Sequence, residues 1–467
     1  MVFDGAGTLV SQSFAPIGTR RTPEGHVEHD ADEIIESFRD TLTDLDQQLP
    51  PRITIDAAGL ATQRSSVVCW DRESGKPLSP VISWQDRRNA AFVETLGDRA
   101  EWVHERTGLV LSPHYGASKL RWCLENLSAV QDAAHAGRLA LGPLASYILF
   151  RLLDERPAVV DPANASRTQL WDPATRDWAP DLLSLFGVDA QHLPRPVLSR
   201  HDFGTLTTRE RRVPIVVCTG DQSAVPFAFG PVDADTAYVN VGTGAFIQCE
   251  LQQADASAKL AWPLLTSVVW ADESRVVRVL EGSVNGASSA LDWLSEADGI
   301  DAHRLLSAMT PDAADAGTPL IFLNGVSGLA SPFWIPDFPT AFIGAGGTQA
   351  RFFAVLESIL FLLRVNLDEM QRHRSRLTQI VVTGGLAASD LLCQRLADLV
   401  TLPVIRHDVL EATARGLAYL TAEQPEGWKL PNGSRRFEPR HDTALLERFF
   451  RWLKEMKRVS EGPRPSN

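Results

Sequence analysis

Short runs of β-branched and aliphatic residues alternate along this chain with longer stretches in which apolar positions recur every three or four residues. Residues 1–11 predict strand, turn, strand, with Asp4, Gly5 and Gly7 in the bend. VEHDADEIIESFRDTLTDL at 27–45 predicts a helix capped by Asp30, and ITIDAAGLATQRSSVVCWD at 53–71 predicts strand, loop, strand. Residues 91–105 and 117–130 have helical periodicity, LGPLASYILFRLL at 141–153 predicts an apolar helix, and 161–178 is polar and loop-rich. Further on, 211–230 predicts a buried strand, a Gly-Asp loop and a small-residue helix, and 237–250 predicts strand, glycine loop, strand. Helices are expected at 284–295, at 349–371 (the longest) and at 411–422; strand then loop at 318–334; strand, Gly-Gly turn and helix at 378–400. The tail from 424 is polar, and its end, SEGPRPSN, is expected to fray. The order is that of an α/β protein, changing character near 221–236, where a hinge between two domains is expected.

Composition narrows the class. A chain of 467 residues exceeds one ordinary core, so two domains are expected. With 44% apolar and 22% charged residues, the chain is an ordinary globular protein. A formal net charge of -13 argues against nucleic acid or an anionic membrane as partner, and leaves room for a local basic pocket. The five cysteines, at 69, 123, 218, 249 and 393, form no C-x-x-C pair and are odd in number, so neither a disulfide framework nor a structural zinc is expected. No residues are nominated as protein ligands of a metal. No apolar run reaches the roughly 18–20 residues of a membrane span, and no secretory leader pattern is seen at the start. A cytoplasmic enzyme is expected.

Three glycine turns follow apolar strands: CTGDQSA at 218–224, NVGTGAF at 240–246 and VTGGLAASD at 382–390. Glycine lets backbone amides approach an anion, and a following helix adds a favourable field. Any one of them is equally a plain turn; three together point to a nucleotide or phosphate ligand. None matches a P-loop or a dinucleotide-binding fingerprint. Asp221, directly after a strand and Gly220, could take a proton from a substrate hydroxyl or simply cap a helix. Arg64, Trp84, Gln85 and Asp86 follow apolar strands and suit a polyol, which needs several donors and acceptors beside an aromatic wall. Arg87 and Arg88 read as a surface pair, and His114-Tyr115 lies in a loop after a proline.

The opening VFDGAGTLVS resembles the start of a haloacid dehalogenase-type phosphatase, with Asp4 as the first carboxylate. That chemistry needs a second carboxylate to protonate a leaving group, and Ala6 stands in its place.

A wider set of motifs, running in order over residues 1–425, resembles the FGGY carbohydrate kinases, most of all their glycerol kinase branch. The stretches are GHVEHDADEI, ATQRSSVVCWDRESGKPLSPVISWQDRR, TGLVLSPHYGASKLRW, NASRTQLWDPATRDW, TGDQSA, VGTGAF, VLEGSV, SGLASPFW, VLESI, VTGGLAASD and EATARGLAYL. The resemblance implies two actin-like (ribonuclease H-like) α/β domains around a central cleft. A sugar- or polyol-binding N-terminal domain would cover 1–223 and a nucleotide-binding C-terminal domain 224–440, with a helix and frayed tail at 441–467. It implies transfer of the γ-phosphoryl of ATP, with Mg2+, to a hydroxyl of a small-molecule sugar or polyol, and it allows a homodimer. Asp221 would be the catalytic base. Arg64, Ser65, Trp84, His114, Tyr115, Gln222 and Phe246 would surround the polyol. Gly242, Thr243 and Gly244 would lie against the phosphates, and Gly384, Gly385, Leu386 and Ser389 would line the nucleotide, with Asn324 and Gly325 beside them.

Three departures stand out. Glycerol kinases carry Arg-Glu where this chain has Arg64-Ser65, and Tyr where it has His114, so a larger or differently substituted acceptor is expected. Family members also begin with a strand bearing D-x-G-T-[ST]-x-x-R, whose Asp helps place magnesium. Here roughly 15–20 residues of that strand and loop are expected upstream of Met1 by comparison with the motif order. The chain as it stands is accordingly expected to transfer phosphate poorly, and the alternative class is a weakly active or non-catalytic nucleotide- or sugar-binding relative.

Overall fold

The computed structural model describes residues 1–251, 262–310, 320–373, 377–409, 411–430 and 433–461. The end of the tail, 462–467, lies outside the described residues. The chain forms two compact units. The first contains Met1–Pro231 together with Thr266–Arg278 and Ala412–Leu430; the other described residues make up the second.

In the first unit a five-stranded sheet has the order Arg20–Arg21, Val27–His29, Val81–Ile82, Val67–Asp71, Leu139–Pro143, with every pair antiparallel. Val67–Asp71 is buried at every position because both faces of the sheet are covered. The period of two sends Val68 and Trp70 into one core with Ile34, Ile35, Tyr147 and Ile148, and Val67 and Cys69 into another with Leu120, Cys123, Leu141 and Phe186. A three-stranded sheet places Arg212–Gly220 between Arg200–Thr207, antiparallel, and Ala58–Thr62, parallel.

Asp30 caps the helix Ala31–Gln48 by accepting from the amides of Asp32 and Glu33. The residues expected to open that helix, Val27–His29, instead form a strand. The apolar stretch at 141–153 likewise divides. Leu139–Pro143 is a strand paired to Val67–Asp71, and the helix is Leu144–Leu152. Pro143 cannot donate further into the ladder and stands at the helix's first flanking position.

In the second unit Thr236–Val241 pairs antiparallel with Ala245–Leu251 and parallel with Gln379–Thr383. The latter runs parallel to Val404–Arg406, which is edged by Arg435–Phe437. Helices Ser288–Asp298, Thr348–His373, Asp390–Val400 and Thr443–Ser460 share one apolar core with this sheet. Inside it Glu357 is paired with Arg395 and Arg448. All five cysteines are buried and none forms a disulfide. Among the described residues no helix is long and apolar enough to cross a membrane.

Candidate functional site

Two clusters of nominated residues form, one in each unit. In the first, Thr62 and Gly220 face each other at the ends of adjacent parallel strands. The residues that follow, Arg64 and Asp221, are therefore neighbours, although more than a hundred positions separate them in the chain. Carboxyl ends of parallel strands are where α/β sheets hold ligands. A side chain on Gly220 would meet Arg64 Cγ and Cδ at 2.5 Å, so glycine is what lets the arginine lie across this turn. Asp221 opens the short helix Asp221–Ala224 and its carboxylate accepts from the Gln222 amide at 2.7 Å. Its carbonyl accepts from the Thr413 hydroxyl at 3.0 Å.

Ser65 sits in the left-handed region, φ 67°, where the chain reverses from one strand to the next. Ser66 continues the turn, and its hydroxyl accepts from the Trp84 amide at 2.9 Å. Trp84 leaves 40% of its surface exposed. The Trp84 carbonyl lies 3.3 Å from His114 Nδ1. A carbonyl can only accept, so Nδ1 carries the proton and Nε2 presents a lone pair. Burial, aided by the nearby Lys119 charge, draws the His114 pKa down to about 4, which keeps the ring neutral. Tyr115 is buried and leads into the helix Gly116–Asn126.

Asp86 and Arg88 are different from their sequence reading. Asp86 is fully buried and accepts from the Val27 amide at 2.6 Å and from Arg88 Nε at 2.9 Å. Arg88 also reaches Glu28 at 2.8 Å. This carboxylate is spent on holding Val27–His29 and the turn after Val81–Ile82 together, and Arg88 is an interior ion-pair partner rather than a surface residue. The partner Glu28 is distant in sequence, which is why no local pattern reveals it. Asp4, in turn, organises a hairpin bend: its carboxylate accepts from the amides of Ala6 and Thr8, both at 2.9 Å.

The second cluster lies where two parallel strands end together. Asn240 faces Thr383, so the turn Gly242–Thr243–Gly244 stands beside Gly384–Gly385. Gly384 has φ 91°, and a Cβ there would meet Asn240 Oδ1 at 2.5 Å and the Val241 carbonyl at 2.6 Å. The carbonyls of the first turn are occupied. Gly242 accepts from the Ser288 amide at 3.0 Å, and Thr243 accepts from the Ala287 and Ser289 amides at 3.2 and 3.1 Å. Thr243, Gly384 and Gly385 are exposed. Asn324 is buried and donates to the Gly286 carbonyl at 2.8 Å, just ahead of the helix Ser288–Asp298. Gly325 follows it in close contact with the Phe338 carbonyl. Leu386 is buried, and Ser389 caps the helix Asp390–Val400 by accepting from the Leu392 amide at 3.3 Å. Phe246 belongs to this unit, opposite Asn240.

Two α/β units, each with glycine turns at the ends of parallel strands, define a protein of the two-domain actin-like kind. The model of the FGGY family of carbohydrate kinases, N-terminal domain, matches residues 1–228, and that of its C-terminal domain matches 237–424. Glycerol kinases from Allorhizobium ampelinum and Dechloromonas aromatica are 32% and 34% identical to the chain, over 98% and 90% of it and 96% and 87% of their own lengths. The crystal structure of Plasmodium falciparum glycerol kinase with ADP has a TM-score of 0.86 at 23% identity, covering 98% of this chain and 95% of that one. The chain belongs to the FGGY family of carbohydrate kinases. It is a phosphotransferase that uses ATP to phosphorylate a hydroxyl of a sugar or polyol.

Proposed function

We propose that the acceptor is a polyol or sugar longer than glycerol or differently substituted. The observation that carries this reading is the Arg64–Ser65 turn beside Asp221. Where glycerol kinases place a carboxylate able to grip hydroxyls, this chain has a hydroxymethyl group, and His114 adds a bare Nε2 acceptor where they have a phenol. A site with different acceptors rejects an acceptor whose hydroxyls it leaves unpaired.

In this reading Asp221 takes the proton from the attacking hydroxyl as it bonds to the γ-phosphorus, and ADP leaves in line. Arg64, Trp84, His114, Tyr115 and Gln222 hold the acceptor, and Phe246 keeps the acceptor role that the family pattern gives it. The amides around Gly242–Gly244 meet the phosphoryl charge, and Gly384–Gly385, with Leu386, Ser389, Asn324 and Gly325, line the nucleotide. The division of roles, polyol on 1–223 and nucleotide on 224–440, is part of the proposal. The carboxylate of Asp221 is a hard oxygen donor of the kind Mg2+ accepts alongside ATP phosphates. Magnesium, when bound, neutralises charge on the phosphates. A cytoplasmic setting accompanies this reading, supported by five buried cysteines that form no disulfide.

The test is a phosphorylation screen over glycerol, tetritols, pentitols and ketoses with Asp221→Asn as control. We expect a longer acceptor to give the highest kcat/KM, and the Asp221→Asn variant to turn it over roughly 10²–10⁴-fold more slowly. A strong preference for glycerol overturns the proposal.

A further inference from the structure

Lys119 lies in the stretch TGLVLSPHYGASKLRW, and its side chain is completely buried. It projects from the helix Gly116–Asn126. Its Nζ donates to three backbone carbonyls: His114 at 2.6 Å, Ser83 at 2.8 Å and Ser65 at 3.1 Å. An ammonium has three N–H donors and no acceptor, so the set is complete.

The identity of the three carbonyls is the informative part. Ser65 follows Arg64, Ser83 precedes Trp84, and His114 is itself a nominated acceptor residue. Each carbonyl comes from a different segment of the chain, and each segment carries a residue of the cluster beside Asp221. Two cross-links between these segments support the same arrangement: the Trp84 amide to Ser66 Oγ at 2.9 Å, and His114 Nδ1 to the Trp84 carbonyl at 3.3 Å. An apolar residue would fill this space without the desolvation that burying an ammonium costs. Burial draws the Lys119 pKa down to about 7. A neutral amine has two N–H groups and would leave one of the three carbonyls bare.

We propose that Lys119 is a positioning residue of the acceptor site: one ammonium ties the loops at 63–66, 83–86 and 112–115 into a single preset arrangement. The proposal rests on the reading of this cluster as the acceptor site. It acts through the loops and touches no substrate. Holding several groups in register before binding is what makes their contacts count in the reaction.

The experiment compares the full chain with Lys119→Met, which keeps the stem and removes the donors, and Lys119→Gln, which restores an amide donor and serves if the methionine variant does not fold. Backbone hydrogen exchange without ligand is measured first. Exchange should quicken together at 63–66, 83–86 and 112–115 in Lys119→Met, less so in Lys119→Gln, with the second unit unchanged. Quickening confined to the helix 116–126, or spread evenly over the first unit, overturns the proposal. Steady-state kinetics follow on the acceptor found by the screen. The acceptor KM should rise about ten-fold or more while the ATP KM stays within about two-fold. Equal rises in both overturn it. A wild-type chain that phosphorylates no polyol or sugar refutes the acceptor reading, and the exchange data then decide the loop linkage separately.

Discussion

Arg64 lies across the α-carbon of Gly220, with its Cγ and Cδ 2.5 Å from where a β-carbon would stand. The contact joins the ends of two parallel strands at the residue that precedes Asp221. Gly220 has φ -84° and ψ 154°, a conformation open to any residue. Glycine is therefore required here by the arginine and not by the backbone.

Gly220→Ala should fold and lose little stability, because backbone strain is absent and the clashing partner is a flexible stem. Arg64 must move, however, and the added methyl would also press on Ser223 Oγ, 3.0 Å away. We expect the acceptor KM to rise by about ten-fold or more with the circular dichroism spectrum unchanged. An unaltered KM would show that Arg64 does not bind the acceptor.

His114 gives a prediction in pH. Its pKa falls from 6.5 to about 4 on folding, first because of burial and then because of the Lys119 charge. Between those values the unfolded chain binds a proton that the folded chain does not. Stability from this group is thus undiminished above pH 6.5 and declines as pH falls toward about 4. The thermal midpoint of the wild type should drop over that interval more steeply than that of His114→Gln, and a differential scanning series in pH checks it. Parallel curves would mean that His114 is charged in the fold.

The glycine turns, Asp221 and the alternation of strands and helices were legible in the sequence because local patterns report them: periodicity, small residues after apolar runs, a capping Asp30. The strand Leu139–Pro143 was hidden because it runs into Leu144–Leu152 with no polar break, so one apolar stretch serves two structures. Asp86 looked like a polyol ligand since nothing nearby in sequence announces that it accepts from the Val27 amide, or that Arg88 beside it pairs with Glu28. Lys119 was invisible for the same reason: its partners are carbonyls, which every residue has. The return of Thr266–Arg278 and Ala412–Leu430 to the first unit is also a non-local fact.

Glu357 tests the second unit's interior. It is buried, bonded to Arg395, and accepts from Arg448 Nε at 2.8 Å and Nη2 at 2.7 Å. The three residues come from the helices Thr348–His373, Asp390–Val400 and Thr443–Ser460. Glu357→Gln preserves volume while removing the charge that compensates both guanidinium groups. Breaking a buried pair in this way costs about 3–5 kcal/mol, whereas Glu455→Gln, whose Arg458 partner is exposed, should cost less than about 1 kcal/mol. Urea unfolding of the two variants measures the difference; equal losses would place the Glu357 network among the dispensable surface pairs.

Gly416 sets helix propensity against packing. It lies inside the helix Ala412–Thr421, where alanine is favoured over glycine by about 1 kcal/mol. A β-carbon there would stand 1.9 Å from the Ala224 carbonyl oxygen and 3.1 Å from the Ala228 nitrogen. Both are backbone atoms, so no side chain can swing away. Ala224 ends the short helix that Asp221 begins, and Thr413, one turn before Gly416, bonds the Asp221 carbonyl. Steric repulsion must win: Gly416→Ala should lose about 2–4 kcal/mol in denaturant unfolding and reduce kcat more than Thr413→Val, which removes one hydrogen bond and adds no clash. Helix propensity alone predicts the opposite sign, so a stabilised Gly416→Ala variant would show that this helix does not press on the Asp221 turn, and with it would go the account of how the base is held.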